Sequence, residues 1–256
     1  MLLAIDSGNT NTVFAVFDDN DKVRGEWRLS TSPNRTADEF GLSLKQLMAE
    51  AGLRPKDVTA AIIATVVPAT LFALKTLCRS TFGCDPRVVG EPGLDLGLKV
   101  LVDRPDEVGA DRLVNAVSAF DRYGGPLIIV DFGTATTFDI IDAEGSYLGG
   151  VIAPGVNLSL EALHMAAAKL PRVDVKKTER VTGKDTVAAM QSGIYWGYVS
   201  LIEGLVARLR VEHGAEIEVI ATGGLAPLFT EAVDCIKQSD PALTLRGLLL
   251  VHRRNK

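Results

Sequence analysis

One short pattern occurs twice in this chain and restricts the fold more than any other feature. Residues 2–18 read LLAIDSGNTNTVFAVFD, and residues 127–142 read LIIVDFGTATTFDIID. Each copy is an apolar run ending at an aspartate, an Asp-x-Gly turn, a second apolar run and an acidic turn that leads into a third strand. Because the copies agree in chemistry and in strand order, we predict a duplicated unit.

The two copies align with a slip of one residue at the last pair. The aligned pairs are Asp6 with Asp131, Gly8 with Gly133, Thr12 with Thr137, Phe14 with Asp139 and Asp18 with Asp142.

Strand and helix periodicities alternate along the whole chain, which is typical of an α/β protein. We expect two domains, residues 1–118 and 119–256, and a solvated basic tail at the closing VHRRNK. The predicted strands are residues 2–6, 12–18, 22–29, 58–68, 86–89, 127–131, 135–141, 146–152 and 217–221. The predicted helices are residues 36–52, 70–82, 106–123, 157–170, 184–212 and a last one that ends near 238.

The composition argues against several classes of function. The 256 residues carry a net charge of −5, which disfavours a nucleic-acid-binding surface. The three cysteines lack metal-ligand spacing and are expected to be reduced thiols. No apolar stretch reaches the roughly 18 residues that a membrane span needs, and Asp6 interrupts the N-terminal run without a preceding basic region. We therefore expect a soluble, cytoplasmic protein without nucleic-acid or membrane partners.

The Asp-x-Gly turn has the chemistry of a phosphate site. Glycine allows close approach of the backbone, and successive N–H groups at such a turn bind anions. Four following residues, Asn9, Thr10, Asn11 and Thr12, add side-chain donors. Asp6 can lie beside phosphate only if a cation such as Mg²⁺ is between them. The alternative is that both stretches are ordinary turns, which these residue types also favour.

A second motif, GADR, places an aspartate and an arginine side by side in the predicted helix 106–123. Asp111 near an acceptor hydroxyl would serve as the general base of phosphoryl transfer. Arg112 could bind a carboxylate or phosphate through two parallel hydrogen bonds. Taken alone, the motif is a weak signal, and an exposed ion pair on a helix is its more common meaning.

Together, the two hairpins and IATGG at residues 220–224 resemble the superfamily of acetate and sugar kinases, actin and heat-shock ATPases. Within it, the ordered motifs DSGNT, GADR, DFGTATT, GGVIAPG, TGKDTVAAMQSGIYWG, ATGGLA and DPALTLRGL closely resemble type III pantothenate kinases. The resemblance covers essentially the whole chain. It implies duplicated ribonuclease-H-like domains with mixed sheets flanked by helices, and phosphorylation of the 4′-hydroxyl of pantothenate by ATP, which begins coenzyme A synthesis.

The resemblance also implies roles for individual residues. Asp6, Ser7, Gly8, Asn9, Thr10, Asn11, Thr12, Val13 and Thr134 are expected to contact ATP, with Mg²⁺ near Asp6. Gly109, Ala110, Asp111, Arg112 and Thr186 are expected to line the pantothenate site, with Asp111 as proton acceptor. Asp131 is expected to bind a monovalent cation, potassium or ammonium. Family members are homodimers, which fits the apolar segment 187–205.

One position departs from the family pattern. Many members carry an aromatic residue shortly before GADR, where this chain has Val102. Two other functions stay open at this point: a phosphohydrolase of the same fold, in which water replaces the alcohol, and a non-enzymatic regulatory accessory protein. Retention of Asp6, Asp111 and Asp131 argues against the second of these.

Overall fold

The computed structural model describes residues 1–256, which form two compact units. The first unit comprises residues 1–99, 103–121 and 242–256, and the second comprises residues 100–102 and 122–241. In chain order, the elements up to the first boundary are β1 (Leu2–Ser7), β2 (Asn11–Phe17), β3 (Val23–Ser30), α1 (Ala37–Glu50), β4 (Ala60–Thr65), α2 (Pro68–Leu77), β5 (Pro86–Val88) and α3 (Ala110–Tyr123). The remaining elements are β6 (Leu127–Phe132), β7 (Ala135–Ile141), β8 (Tyr147–Pro154), α4 (Val156–Ala166), α5 (Thr186–His213), β9 (Glu218–Gly223), α6 (Ala226–Thr230), β10 (Gln238–Ser239) and α7 (Leu243–Arg254).

Each unit is built on one five-stranded mixed sheet. The first sheet has the order β3-β2-β1-β4-β5, and the second has the order β8-β7-β6-β9-β10. In both, the first three strands form an antiparallel meander and the last two pair in parallel. The two sheets therefore share one topology, and the predicted duplication is confirmed.

The strand registers show that the one-residue offset between the two copies lies at the turn and not at the last aligned pair. Ser7 pairs with Thr12 in the first hairpin, whereas Phe132 pairs with Thr136 in the second. The second turn is thus one residue shorter, and Thr12 corresponds to Thr136. The sequence alignment, which matched Thr12 with Thr137 and Phe14 with Asp139, was wrong between the turn and the last pair.

The acidic turns after the two hairpins are alike. Asp18 accepts hydrogen bonds from the backbone N–H groups of Asn20 and Lys22 at 2.9 and 3.0 Å. Asp142 accepts the corresponding bonds from Glu144 and Ser146 at 3.0 and 2.6 Å. These carboxylates therefore close turns, which is the local role that Asp favours.

The first sheet is covered by helices on both faces. On one face, Leu3 and Ile5 pack with residues of α1 and α2. On the other, Leu2 and Ala4 pack with residues of α3 and α7, because successive side chains of a strand point to opposite faces. In the second unit, apolar side chains of α5 and α6 pack on β6, β7 and β9.

The structure differs most from the sequence predictions at three helices, α3, α6 and α7. Residues Pro105–Glu107 form a separate 3-10 turn, and α3 begins only at Ala110. The predicted helix ending near 238 is the short α6, and the expected solvated tail belongs to α7, in which Val251 and His252 are buried.

The bounds of the compact units differ from the expected domain bounds because of helix α7. It packs against β1 and β4, so residues 242–256 belong to the first unit and not to the second. The boundary within α3 lies at residue 121, near the expected residue 118.

Candidate functional site

The first hairpin places Asp6 at the carboxyl end of β1. Asp6 pairs with Val13 in β2 and with Ala64 in β4, and it is partly buried. The N–H of Gly8 donates to the carbonyl of Asn11 at 3.0 Å and closes the turn. Asn9, Thr10 and Asn11 are exposed at its tip, where their polar groups can meet a ligand.

Ser7 and Thr12 face away from the exposed tip of this hairpin. Both are fully buried, and their hydroxyls lie 3.1 Å apart on the face of the sheet opposite to Asp6. Thr12 was expected to add a side-chain donor to the ligand, but its hydroxyl contacts other hydroxyls of the protein. Only the backbone of these two residues is available to a phosphate at the tip.

Asp111 lies in the first turn of α3, where the backbone leaves room for its carboxylate. A Cβ atom on Gly109 would lie 2.6 Å from Oδ1 of Asp111, so the glycine provides the space that this carboxylate fills. The N–H of Arg112 donates to the same Oδ1 at 2.7 Å. Burial raises the pKa of Asp111, and the N–H and charge of Arg112 lower it only in part.

Asp6 and Asp111 lie at the same edge and on the same face of the first sheet. Asp6 shares its face with Leu2 and Ala4, the face that α3 covers. At the end of β4, the N–H of Val66 donates to the carbonyl of Ser7 at 3.2 Å. Cγ1 of Val66 also lies 3.4 Å from the Cβ position of Gly109.

Of the other residues of the GADR motif, Ala110 packs in the core and Arg112 lies beside Asp111. Ala110 is buried in the core beneath the first sheet. Arg112 is partly buried beside Asp111, and its Cδ lies 3.7 Å from the Cβ position of Gly109. Arg112 therefore belongs to the neighbourhood of the acid, as its motif predicts.

In the second unit, Asp131 ends β6 as Asp6 ends β1. Gly223, at the end of β9, has φ of +90°, and a Cβ atom there would lie 2.6 Å from Oδ1 of Asp131. Gly133 closes the turn through its N–H to the carbonyl of Ala135 at 3.0 Å, and Thr134 is exposed at the tip. The glycine of the ATGG motif thus opens space directly beside this carboxylate.

Gly155 also contacts this turn, and it is not among the predicted site residues. A Cβ atom on Gly155 would lie 2.1 Å from the carbonyl oxygen of Thr134. The signal was present in the GGVIAPG motif, because a glycine just before a helix can mark a close backbone approach.

Thr186 is the first residue of α5 and is exposed. Asp185 caps the helix by accepting from the N–H of Ala188 at 2.8 Å. Thr186 is one of the residues that line an open groove of about 540 Å³. The other lining residues are Leu163, Leu170, Ala189, Met190, Gly193 and Ile194, which makes the groove mainly apolar.

Val102 belongs to the second unit. Its Cγ1 lies 3.8 Å from the Cβ position of Gly149 in β8.

No three His, Cys, Asp or Glu side chains of the chain form a cluster that could hold a metal ion by themselves. None of the helices combines the length and the apolar character that crossing a membrane demands.

The fold is shared with solved structures of low sequence identity. A Sinorhizobium meliloti protein described as a 2-dehydro-3-deoxygalactonokinase matches 99% of this chain and 96% of its own, with a TM-score of 0.62 and 16% identity. A Campylobacter jejuni protein described as a Baf family transcriptional activator matches 99% of this chain and 98% of its own, with a TM-score of 0.60 and 18% identity. At these identities the likeness concerns the fold alone.

The two sheets share one topology, and each carries an aspartate near the tip of its first hairpin, which defines the class as a protein of duplicated ribonuclease-H-like domains. The family model described as type III pantothenate kinase matches residues 2–208. A Paramagnetospirillum magneticum protein named type III pantothenate kinase is 66% identical and matches 100% of this chain and 98% of its own length. A Rhodospirillum rubrum protein of the same name is 65% identical and matches 100% of this chain and 99% of its own length. The chain belongs to the type III pantothenate kinase family. The predicted fold class and the predicted ATP-dependent pantothenate kinase are confirmed.

Proposed function

We propose that this chain transfers the γ-phosphoryl group of ATP to the 4′-hydroxyl of pantothenate with Asp111 as general base. A bond forms between the hydroxyl oxygen and the γ-phosphorus, the bond from that phosphorus to the β–γ bridging oxygen breaks, and ADP leaves. The hydroxyl proton passes to the carboxylate of Asp111. The observation that carries the proposal is the position of this half-buried acid on the same face and edge of the first sheet as Asp6.

The first hairpin would hold the phosphates of ATP. Its turn presents exposed Asn9, Thr10 and Asn11, with Val13 and Asp6 beneath them, whereas Ser7, Gly8 and Thr12 would act through their backbone. Asp6 would hold Mg²⁺ through water or together with phosphate oxygens, because a single carboxylate is a usual protein contribution to a Mg²⁺–phosphate complex. When bound, Mg²⁺ neutralises charge on the phosphates.

Pantothenate would be oriented by residues around the acid. The guanidinium of Arg112 suits the carboxylate of this substrate, since it can donate two parallel hydrogen bonds. Gly109 provides room for Asp111, and buried Ala110 fixes the start of α3. Thr186, which lines the apolar groove of the second unit, would contribute a hydroxyl contact.

The second hairpin would contribute Thr134 as an ATP contact and Asp131 as the ligand of a monovalent cation, potassium or ammonium. The space that Gly223 leaves beside Oδ1 of Asp131 supports this role, because a side chain there would occupy the approach to the carboxylate.

A homodimer and a cytoplasmic location complete the proposal. Val187 on α5 and Met165 on α4 are 41% and 76% exposed, which favours a second copy covering these helices. All three cysteines are free thiols, which fits a reducing compartment.

The test is ADP release measured with and without pantothenate, and with and without potassium. Asp111→Asn should lose turnover and keep its affinity for ATP, whereas Asp106→Asn, in the exposed 3-10 turn before α3, should behave like the unaltered enzyme. ADP release at the same rate without pantothenate would instead indicate a phosphohydrolase.

A further inference from the structure

A row of buried hydroxyl groups runs beneath the first hairpin. Thr65 Oγ1 lies 3.3 Å from Thr70 Oγ1, which lies 3.2 Å from Ser7 Oγ. Ser7 Oγ lies 3.1 Å from Thr12 Oγ1, and Thr12 Oγ1 lies 2.9 Å from Thr31 Oγ1. Ser7, Thr12 and Thr70 are at most 1% exposed. We call this row, Thr65–Thr70–Ser7–Thr12–Thr31, the hydroxyl chain.

The hydroxyl chain has a defined direction. Thr31 donates to the carbonyl oxygen of Gly8 at 2.7 Å. Because a hydroxyl has one proton, Thr31 must accept from Thr12, and Thr12 from Ser7, for these contacts to be hydrogen bonds. Thr70 Oγ1 lies within reach of two acceptors, Ser7 Oγ at 3.2 Å and the carbonyl oxygen of Val67 at 2.9 Å, so the direction is defined from Ser7 onward. The other end accepts a hydrogen bond, since the N–H of Val67 donates to Thr65 Oγ1 at 3.0 Å.

The last hydrogen bond of this chain fixes a peptide group of the turn. The carbonyl of Gly8 and the N–H of Asn9 belong to one planar, trans peptide, so they point in opposite directions. Holding the carbonyl toward Thr31 therefore directs the N–H of Asn9 away from the protein interior. Asn9 is exposed at the tip, on the side where a phosphate would approach.

The second hairpin lacks this arrangement although it has the same topology. Phe132 stands where the first hairpin has Ser7, and Gly223 stands where it has Thr65. Thr136 corresponds to Thr12, but its buried Oγ1 makes no hydrogen bond. The fold therefore does not require the hydroxyl chain, and its presence is specific to the first hairpin.

We propose that the hydroxyl chain orients the Gly8–Asn9 peptide so that the N–H of Asn9 donates to a phosphate of ATP. Thr31, Thr65 and Thr70 are then positioning residues of the kinase, although none of them needs to touch a ligand. This inference rests on the proposed placement of ATP at the first hairpin. It adds three positions from β4, α2 and the end of β3 to the machinery of that hairpin.

The test compares Thr70→Val, which removes the hydroxyl at nearly constant volume, with Thr70→Ser, which restores it. The KM for ATP should rise on the order of tenfold in Thr70→Val, the effect of about one hydrogen bond, and return to within about twofold in Thr70→Ser. The KM for pantothenate should stay unchanged in both. Thr136→Val is the matched control and should leave both constants unchanged, because its hydroxyl has no partner.

The ¹⁵N and amide proton shifts of Asn9, measured without ATP, give a second readout. They should move in Thr70→Val and Thr31→Val but not in Thr136→Val. If Thr70→Val does not fold, Thr65→Val breaks the same chain at a less buried position.

The outcomes distinguish a failure of this inference from a failure of the proposed placement of ATP. If Asp6→Asn raises the KM for ATP while folded Thr70→Val and Thr65→Val do not, the inference is wrong and ATP still binds at the first hairpin. If none of the three changes this constant, the placement of ATP is wrong as well. An equal effect of Thr136→Val would also overturn the inference, since it would indicate a general loss of packing.

Discussion

A Cβ atom on Gly109 would lie 2.6 Å from Oδ1 of Asp111, closer than real Cβ atoms approach any oxygen. Gly109→Ala should therefore displace the carboxylate that we assign as general base. Because a misplacement of about 1 Å can cost roughly 10²-fold in rate, we expect kcat to fall by about that factor. Steady-state kinetics should find the KM for ATP nearly unchanged. Full turnover in the alanine variant would contradict the assigned position.

Asp111→Asn should separate activity from stability. We expect kcat to fall by roughly 10²–10⁴, the usual effect of losing a general base. Since burial raises the pKa of Asp111, the charged carboxylate is less favourable in the folded state than in the unfolded state at neutral pH. Urea unfolding at neutral pH should thus show the asparagine variant to be no less stable. A clear loss of stability would indicate that the charge has a structural partner.

The pH profile of kcat/KM should report the same carboxyl. Its pKa is raised above the ordinary value of 3.8, so the acidic decline in kcat/KM should be centred above that pH. The base is active when deprotonated, so activity is lost as the pH falls through the raised pKa. In Asp111→Asn the residual activity should lack this decline. Persistence of the same acidic limb in the variant would assign it to another group.

Gly155→Ala should disturb the second hairpin. The new Cβ would lie 2.1 Å from the carbonyl oxygen of Thr134 and 2.7 Å from that of Gly133, and backbone atoms cannot move aside cheaply. We expect the free energy of unfolding to decrease by about 1–3 kcal/mol, as for other overpacked sites. Gly133→Ala is the control, because its Cβ would meet nothing closer than 3.5 Å. Equal stability of the two variants, measured by chemical denaturation, would refute the close approach.

His252 should make the folded protein less stable in mild acid. Burial, together with the charges of Arg87, Lys256 and the N-terminal amine, lowers the pKa of His252 from 6.5 to about 4. Between these values the unfolded chain binds a proton that the folded protein does not. The free energy of unfolding should therefore fall as the pH decreases from 6.5 toward 4, by at most about 1.4 kcal/mol per pH unit from this group.

The measurement is urea unfolding at several pH values across this window, with His252→Gln as the comparison. The wild-type curve should have the steeper pH dependence. Parallel curves would show that His252 does not titrate differently in the two states.

Local sequence patterns were sufficient to predict nine of the ten strands and the duplication, but not the two-residue β10. The apolar run at 127–131 forms β6 (Leu127–Phe132), and the Asp-x-Gly turns lie where they were expected. Strand alternation also could have shown that Ser7 faces away from Asp6, since neighbouring side chains of a strand point to opposite faces. The residue roles carried over from the family resemblance, including those of Thr134 and Thr186, stay predictions.

Tertiary contacts explain what the sequence did not reveal. Leu245, Leu248, Leu249 and His252 follow helical spacing, yet the basic end of this segment suggested a solvated tail. The hydroxyl partners of Thr12 and Ser7 include Thr31 and Thr70, and nothing local indicates that these hydroxyls meet. The shorter second turn was equally hidden, because only the strand register fixes where the missing residue lies.

Helix α7 is synthesised last and can pack on the first sheet only after the second unit has been translated. Its Leu245, Leu248 and Val251 cover the sheet face that carries Leu2 and Ala4, and they are translated more than 200 residues later. While the ribosome makes the second unit, α3 is already present on this face, but the part that α7 covers stays exposed to solvent. The first sheet therefore acquires its last packing partner only after the second unit has been translated, and a nascent chain interrupted before α7 should be a substrate for chaperones and proteases.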